Sequence, residues 1–322
     1  MKRRFLVTGG AGFIGSNFVR RLLIEEPDVM VTNLDAMTYA GVPLTIDELN
    51  EFPAHRFVKG DIRDDELVDE IMPGHDVVVH FAAESHVDRS IAGPAVFLET
   101  NVVGTGVLLD AAYRHGVGRF MHVSTDEVYG SIAEGFPDET AVLDPSSPYS
   151  SSKAGSDLLA LSYATTYDYD VIVTRCTNNY GPYQFPEKVI PLFVTNLLDG
   201  KRVPLYGDGQ NERDWLHVND HNSAVRLLVD EGQPGEIYNI GANAQLTNLD
   251  LTYRILSALG EDESMIERVT DRLGHDLRYA VDSSKLRALG WKPQHTFDEH
   301  LEDTVSWYRD RPDWWKPLKG SS

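Results

Sequence analysis

The sequence predicts an α/β protein, a doubly wound parallel sheet with a smaller C-terminal substrate-binding domain. Three observations predict it. Strand-like and helix-like segments alternate at close spacing through the first half of the 322 residues, the pattern of parallel strands joined by crossover helices. A glycine-rich turn separates the first strand from the first helix. After about residue 178 the elements shorten and Gly181, Pro182, Pro186, Pro191, Gly200, Pro204, Gly207 and Gly209 punctuate them.

The elements follow in order. Residues 4–8 form a short apolar strand, and 13–24 carry apolar side chains at helical spacing. Strands are expected at 29–34, 56–58 and 76–81. A long helix at 97–115 leads to a strand at 119–124, a second long helix at 149–167 leads to a strand at 171–174, and 219–240 is a helix and strand that could return to the sheet. The last amphipathic helix is 297–308. Several strands are unbroken Val, Ile, Leu and Phe runs, as burial on both faces requires.

Composition narrows the function classes. A net charge of −21 argues against nucleic acid or an anionic membrane surface as partner. No apolar run is read as reaching the ~18 residues that span a bilayer. Gly9, Gly10, Gly12 and Gly15 break the apolar run behind the basic N-terminus, so no export signal is read and a cytoplasmic location is expected. The one cysteine, Cys176, lies on a strand-like run and reads as a small buried hydrophobe. No metal site is expected.

The run Thr8-Gly9-Gly10-Ala11-Gly12-Phe13-Ile14-Gly15 sits where strand becomes helix. Glycines there allow a tight turn, close approach of a pyrophosphate and close helix–strand packing, and the helix N-terminus offers free N–H groups. Asp35 ends the next strand, at the offset expected for a carboxylate on the adenosine ribose, and would repel a 2′-phosphate. The cofactor expected on this Rossmann-like sheet is therefore NAD. Asp61 and Ile62 follow the third strand and Phe81, Ala82 and Ala83 the fourth, where side chains reach a bound dinucleotide. Asp61 could equally cap a helix.

Tyr149 and Lys153 stand one helical turn apart and share a face. A neighbouring ammonium and a cationic nicotinamide both favour phenolate, which would make Tyr149 a base for a sugar hydroxyl. Upstream, Ser124-Thr125-Asp126-Glu127-Val128-Tyr129-Gly130 places two acids at the carboxyl end of a parallel strand, facing the crevice. Removing a carbon-bound proton and expelling a hydroxyl needs one base and one acid, and two carboxyls of different pKa can divide those roles.

With these residues the chain resembles the extended short-chain dehydrogenase/reductases, and within them the dTDP-glucose 4,6-dehydratases. Further matching runs are 79–88, 178–183, 186–191 and 204–209, with Trp307-Tyr308, Trp314-Trp315 and Pro317-Leu318-Lys319 near the end. The resemblance implies NAD bound by residues 1–177, rejoined by about 213–242, and a nucleotide diphosphate sugar, dTDP-glucose, bound by residues 178–322. It implies Thr125, Asp126, Glu127, Tyr149 and Lys153 as catalytic groups. Thr38, Ser85, Thr100 and Asn178 would join the cofactor residues. Ser85, Thr125, Asn179, Lys188, Val189, Pro204, Tyr206, Arg213, Asn248, Arg272, His275 and Tyr308 would hold substrate. A homodimer is expected through apolar faces of the two long helices.

Other readings stay open. Arg213 could be a salt-bridged surface residue, Lys188 solvated and Tyr206 core, while His86 and His217 read as structural histidines. The family's Tyr-Ala-Gly-Asn is here Tyr39-Ala40-Gly41-Val42, and its Asp-Arg-Pro-Gly-His-Asp is Asp271-Arg272-Leu273-Gly274-His275-Asp276. The rival activities are another nucleotide-sugar 4,6-dehydratase, acting on a UDP-sugar, and a nucleotide-sugar 4-epimerase or decarboxylase, which would need only the Tyr/Lys pair. Outside enzymes, a silent NAD-binding regulator is the alternative.

Overall fold

The computed structural model describes residues 2–271 and 276–320. Twelve strands run along them: β1 (Arg3–Thr8), β2 (Val29–Asp35), β3 (His55–Lys59), β4 (Val77–His80), β5 (Arg119–Thr125), β6 (Val171–Cys176), β7 (Asn178–Tyr180), β8 (Val203–Tyr206), β9 (Glu212–His217), β10 (Ile237–Ile240), β11 (Gln245–Thr247) and β12 (Ile266–Val269). Seven of them form one parallel sheet in the order β10-β6-β5-β4-β1-β2-β3. The order reverses direction beside β1, and the crevice at the carboxyl ends of β1 and β4 is where such sheets bind ligands.

The strand sequences explain the two covered faces. Phe5 and Val7 of β1 and Val77 and Val79 of β4 enter one apolar cluster, while Leu6 and Val78 enter the cluster on the opposite face. Side chains alternate along a strand, so an unbroken apolar run feeds both layers at once. The helices Phe13–Glu25 and Val218–Glu231 cover the first face. The helices Thr105–Arg114 and Pro148–Tyr167 cover the second.

A third cluster lies under the C-terminal elements, built from Tyr180, Phe193, Trp215, Phe297, Tyr308, Trp314 and Trp315. There β9 pairs parallel with β7 and antiparallel with β11, and β8 pairs parallel with β12. β10, which follows β9 and a helix in sequence, is an edge of the large sheet.

The structure adds three features to the sequence reading. The helix expected at 97–115 starts at Pro94 and contains a π turn, Glu99–Gly104. Proline favours the first turn of a helix because its missing N–H is not needed there. The span Pro94–Arg114 is also long and apolar enough to cross a membrane by composition, contrary to the expectation that no run is. Phe97, Leu108 and Leu109 of this span are buried in the protein, Leu98 and Val103 are exposed, and Glu99 and Asp110 interrupt the run. Third, Asp126–Tyr129 forms a short 3-10 turn directly after β5.

Candidate active site

The glycine turn is built for close approach. Gly9 has φ +72°, and a Cβ there would stand 2.6 Å from the Ala82 nitrogen. A Cβ on Gly15 would meet the Gly9 carbonyl oxygen at 2.4 Å, which locks helix against turn. Gly12 is the N-cap of Phe13–Glu25 and supplies no side-chain cap, so the first N–H groups of the helix face the crevice. Asp35 is oriented by its neighbours: its carboxylate accepts from the Ala11 N–H at 2.9 Å and the Met37 N–H at 2.8 Å. Burial raises its pKa. A pyrophosphate cradle with a fixed carboxylate one strand away fits NAD.

One cleft runs across the carboxyl ends of the strands. Gly9, Gly12, Phe13, Ile14, Gly15, Asp35, Thr38, Asp61, Ile62, Phe81, Ala82, Ala83, Ser85, Thr100 and Asn178 all line it. Thr125, Asp126, Glu127, Tyr149 and Lys153 line the same cleft, as do Asn179 and Lys188. Asp61 also holds Arg63, whose Nε lies 3.0 Å from its carboxylate. Lys188 donates to the Ser85 carbonyl at 3.1 Å, tying the substrate side to the segment after β4.

Helix Pro148–Tyr167 places Tyr149 and Lys153. Ser147 caps it, accepting from the Ser150 N–H while Ser150 Oγ accepts from the Ser147 N–H, a reciprocal capping box. Tyr149 and Lys153 follow in its first turns and are buried. Lys153 Nζ donates to the Val123 carbonyl at 2.8 Å, and burial pushes its pKa down to about 8. Burial pushes the Tyr149 phenol well above its ordinary value, and the Glu127 carboxylate and Cys176 add to the rise. Thr125 opposes this with a hydrogen bond to the phenol. Within the protein alone, burial thus raises the phenol's pKa, and Lys153 turns its ammonium toward a backbone carbonyl.

The two acids differ in environment. Asp126 is 3 % exposed and its Oδ2 has no hydrogen-bond partner among the described residues. Burial raises its pKa well above the carboxylate range, and the negative charges of Glu127 and Asp214 raise it further. Glu127 is only half-buried, and its N–H donates to Thr125 Oγ1 at 3.2 Å. A buried carboxyl with a raised pKa beside a more exposed one gives two acids of different environment, as a division of acid and base roles needs.

The remaining candidates lie away from the cleft wall. Arg213 is buried behind Asp126, donates to the carbonyls of Glu212 at 2.7 Å and Asp276 at 3.0 Å, and stacks 4.2 Å over Tyr279. Val189 opens the helix Val189–Leu198, Pro204 and Tyr206 lie on β8, and Asn248 begins the helix Asn248–Leu259. Tyr308 is fully buried and donates to the Gln184 carbonyl at 2.6 Å, so the structure puts it in the core rather than in the cleft. Its aromatic neighbours Trp307 and Trp315 explain that placement. Arg272 and His275 lie outside the described residues. His217 caps a helix through Nδ1 and stacks 4.3 Å from His295, and His86 lies 3.8 Å from Glu187.

Sequence reasoning missed part of the wall. Tyr39, Glu84, Cys176, Thr177, Gln184, Phe185 and Glu187 also line the cleft. Cys176 ends β6 and Thr177 follows it, so the strand-end rule that found Asp35 and Thr125 could have found both. Tyr39 and Glu187 meet through Arg89, which lies 3.7 Å over the Tyr39 ring and 3.2 Å from the Glu187 carboxylate. Their segments are distant in sequence and carry no pattern that announces the contact.

The family model described as GDP-mannose 4,6 dehydratase matches residues 6–304. The chain belongs to this family. Within it, dTDP-glucose 4,6-dehydratase of Streptomyces antibioticus is 58 % identical over 98 % of this chain and 95 % of its own. Low-salt glycan biosynthesis protein Agl12 of Haloferax volcanii is 52 % identical over 94 % of this chain and 97 % of its own. The crystal structure of DesIV (dTDP-glucose 4,6-dehydratase) from Streptomyces venezuelae with NAD and TYD bound superposes with TM-score 0.96, at 56 % identity over 98 % of this chain and 99 % of that one. A UDP-glucose 4-epimerase from Thermotoga maritima has the same fold at TM-score 0.89 and only 31 % identity, covering 95 % of this chain and 99 % of that one. The dehydratase family thus shares its scaffold with epimerases, so the fold alone does not decide the chemistry.

Proposed function

We infer that this chain is an NAD-dependent dTDP-glucose 4,6-dehydratase, a lyase that converts dTDP-glucose to dTDP-4-keto-6-deoxyglucose. The observation that carries the reading is the pair Asp126 and Glu127, set beside Thr125 in the cleft that also holds Tyr149 and Lys153. NAD, held by Gly9, Gly12, Gly15 and Asp35, supplies a hydride acceptor that is restored by the end of turnover. Tyr149 takes the C4 hydroxyl proton as C4 is oxidised, and Thr125 holds that hydroxyl. Burial opposes the phenolate, so the positive charge that favours it comes from Lys153 and the oxidised cofactor together.

The 4-ketone makes the C5 hydrogen acidic. Glu127, half-buried and ionisable, removes it. Asp126, kept protonated by burial and by its neighbouring charges, gives its proton to the C6 hydroxyl, which leaves as water. Reduction at C6 and return of a proton to C5 complete the 4-keto-6-deoxy sugar. Ser85, Asn179 and Lys188 line the sugar–diphosphate side. Lys153, Arg63 and Lys188 bring positive charge to the cleft of a chain of net charge −21, as an anionic substrate requires. Val189, Pro204, Tyr206 and Asn248 are assigned to the outer, nucleotide end, and Arg213 to the ground behind Asp126.

Two further assignments rest on chemistry and surface. A single thiol, Cys176, is free and buried, as suits a reducing cytoplasm. Leu98 and Val103 on one long helix and Leu158 and Tyr167 on the other are exposed apolar residues that a second copy would cover.

The test is Asp126→Asn given dTDP-glucose, with products read by mass. The expected outcome is that the 4-keto sugar still forms and water loss slows by roughly a hundredfold or more. Undiminished water loss would remove Asp126 from the acid role. Wild-type protein that leaves the mass of the sugar nucleotide unchanged would instead be an epimerase, and one that releases carbon dioxide from a uronate a decarboxylase.

A further inference from the structure

Behind the cleft, a chain of buried polar side chains joins the two halves of the proposed chemistry. Asp157 lies one turn beyond Lys153 on the helix Pro148–Tyr167 and is fully buried. Its Oδ2 accepts from Arg175 Nε at 2.9 Å, and its Oδ1 is 3.3 Å from His122 Nε2. Arg175, on β6 and 2 % exposed, donates through Nη1 to the Tyr129 hydroxyl at 2.8 Å. The Tyr129 hydroxyl donates onward to Asn239 Oδ1 on β10 at 2.9 Å. Tyr129 is the last residue of the 3-10 turn that carries Asp126 and Glu127.

Stability is a poor reason for this arrangement. Burying an ion pair costs several kcal/mol per ion in desolvation, and apolar side chains of similar volume often hold a fold as well. What such a pair adds is fixed geometry. Arg175 is a planar fork with one arm on the helix of Tyr149 and Lys153 and the other on the turn of Asp126 and Glu127. An error of ~1 Å in placing a catalytic group can cost ~100-fold in rate, so a rigid tie between two sets of groups that act on one sugar has a direct use.

We propose that Tyr129, Arg175 and Asp157 are positioning residues that hold the acid–base turn in register with the helix of the oxidation pair, so that a sugar oxidised at C4 already presents C5 and C6 to Glu127 and Asp126. This rests on the dehydratase reading above. None of the three lines the cleft, so each acts through the groups it holds. The consequence is selective: loosening the turn slows elimination while leaving oxidation at C4, which depends on the helix, in place.

The experiment uses Tyr129→Phe, which removes one hydroxyl and keeps the ring, and Arg175→Lys, which keeps a charge for Asp157 but loses the fork. Sugar species are followed by rapid-quench mass spectrometry with enzyme in excess over dTDP-glucose, and amide hydrogen exchange is measured on the resting protein. The expected result is water loss slowed by about tenfold or more, formation of the 4-keto sugar within about twofold of wild type, and that sugar accumulating. Exchange should rise over Asp126–Tyr129 and stay unchanged over Pro148–Tyr167. Equal slowing of both steps, no change in either, or exchange unchanged over the turn in whichever variant folds overturns the proposal. Failure of the wild type to release water would sink the dehydratase reading instead, and the exchange measurement would still decide the coupling.

Discussion

Lys153 shows what a functional side chain costs its fold. It is fully buried and its folded pKa is pushed down to about 8 from 10.5, so the protein holds a charge in a place that disfavours it. Below about pH 8 both folded and unfolded chains carry the proton, and the cost is present in full. Between about 8 and 10.5 the unfolded chain binds the proton and the folded chain does not, so the folded state gains stability as pH rises through that window. Replacement by methionine, Lys153→Met, should therefore stabilise the protein at pH 7 by roughly 1–3 kcal/mol while abolishing turnover. The advantage over wild type should shrink toward pH 10.5. Urea titrations of both proteins at several pH values measure it, and a less stable variant at neutral pH would contradict the sign.

At the scale of elements, caps and glycines place the chemistry. Ser147 and Ser150 exchange two hydrogen bonds at the start of the helix that carries Tyr149. Ser147→Ala leaves an N–H unsatisfied and should cost about 1 kcal/mol by urea titration. It should also lower kcat more than an equally destabilising change at the far end of the helix. The glycine turn is less forgiving. A Cβ at Gly15 would lie 2.4 Å from a backbone oxygen, which cannot rotate away. Gly15→Ala is expected to be purified with far less NAD than wild type, as read by nucleotide released on denaturation. Equal NAD content would show that the turn can move aside.

At the scale of the molecule, two surface properties matter. The exposed apolar residues Val103 and Leu158 lie on two long helices that pack side by side. Light scattering should find a dimer at micromolar concentration, and Leu158→Arg should yield a monomer. A wild-type monomer would leave those residues without the covering copy. The net charge of −21 sets a second expectation. Self-repulsion of the folded chain is screened as ionic strength rises from about 0.01 to about 1 M, where the screening length falls from about 30 to about 3 Å. Tm should climb across that range in KCl, and a flat or falling Tm would mean that local ion pairs outweigh the global repulsion.

Local pattern made much of this protein legible. Alternating apolar strands, the glycine turn and the Tyr149–Lys153 spacing are short-range features, and short-range features survive in a one-dimensional reading. Gly9, Gly12, Gly15, Asp35, Asp61, Ile62, Phe81, Ala82 and Ala83 line the cleft, because they lie at strand ends or in the turn, where topology dictates the neighbourhood. The described residues assigned beyond Lys188 do not line it. Tyr308 is in the core, and Arg213 holds backbone carbonyls behind Asp126, because loop-rich segments take their orientation from packing rather than from period.

The sequence by itself determined the sheet, the cofactor cradle and the identity of the groups that could oxidise and dehydrate a sugar. Only the tertiary structure decided their state and alignment. Burial beside Glu127 and Asp214 is what pushes the Asp126 pKa up, and the bridge from Asp157 through Arg175 to Tyr129 is what joins the turn Asp126–Tyr129 to the helix Pro148–Tyr167. Both depend on low-dielectric contacts between residues distant along the chain, and no local pattern encodes the distance between two such residues.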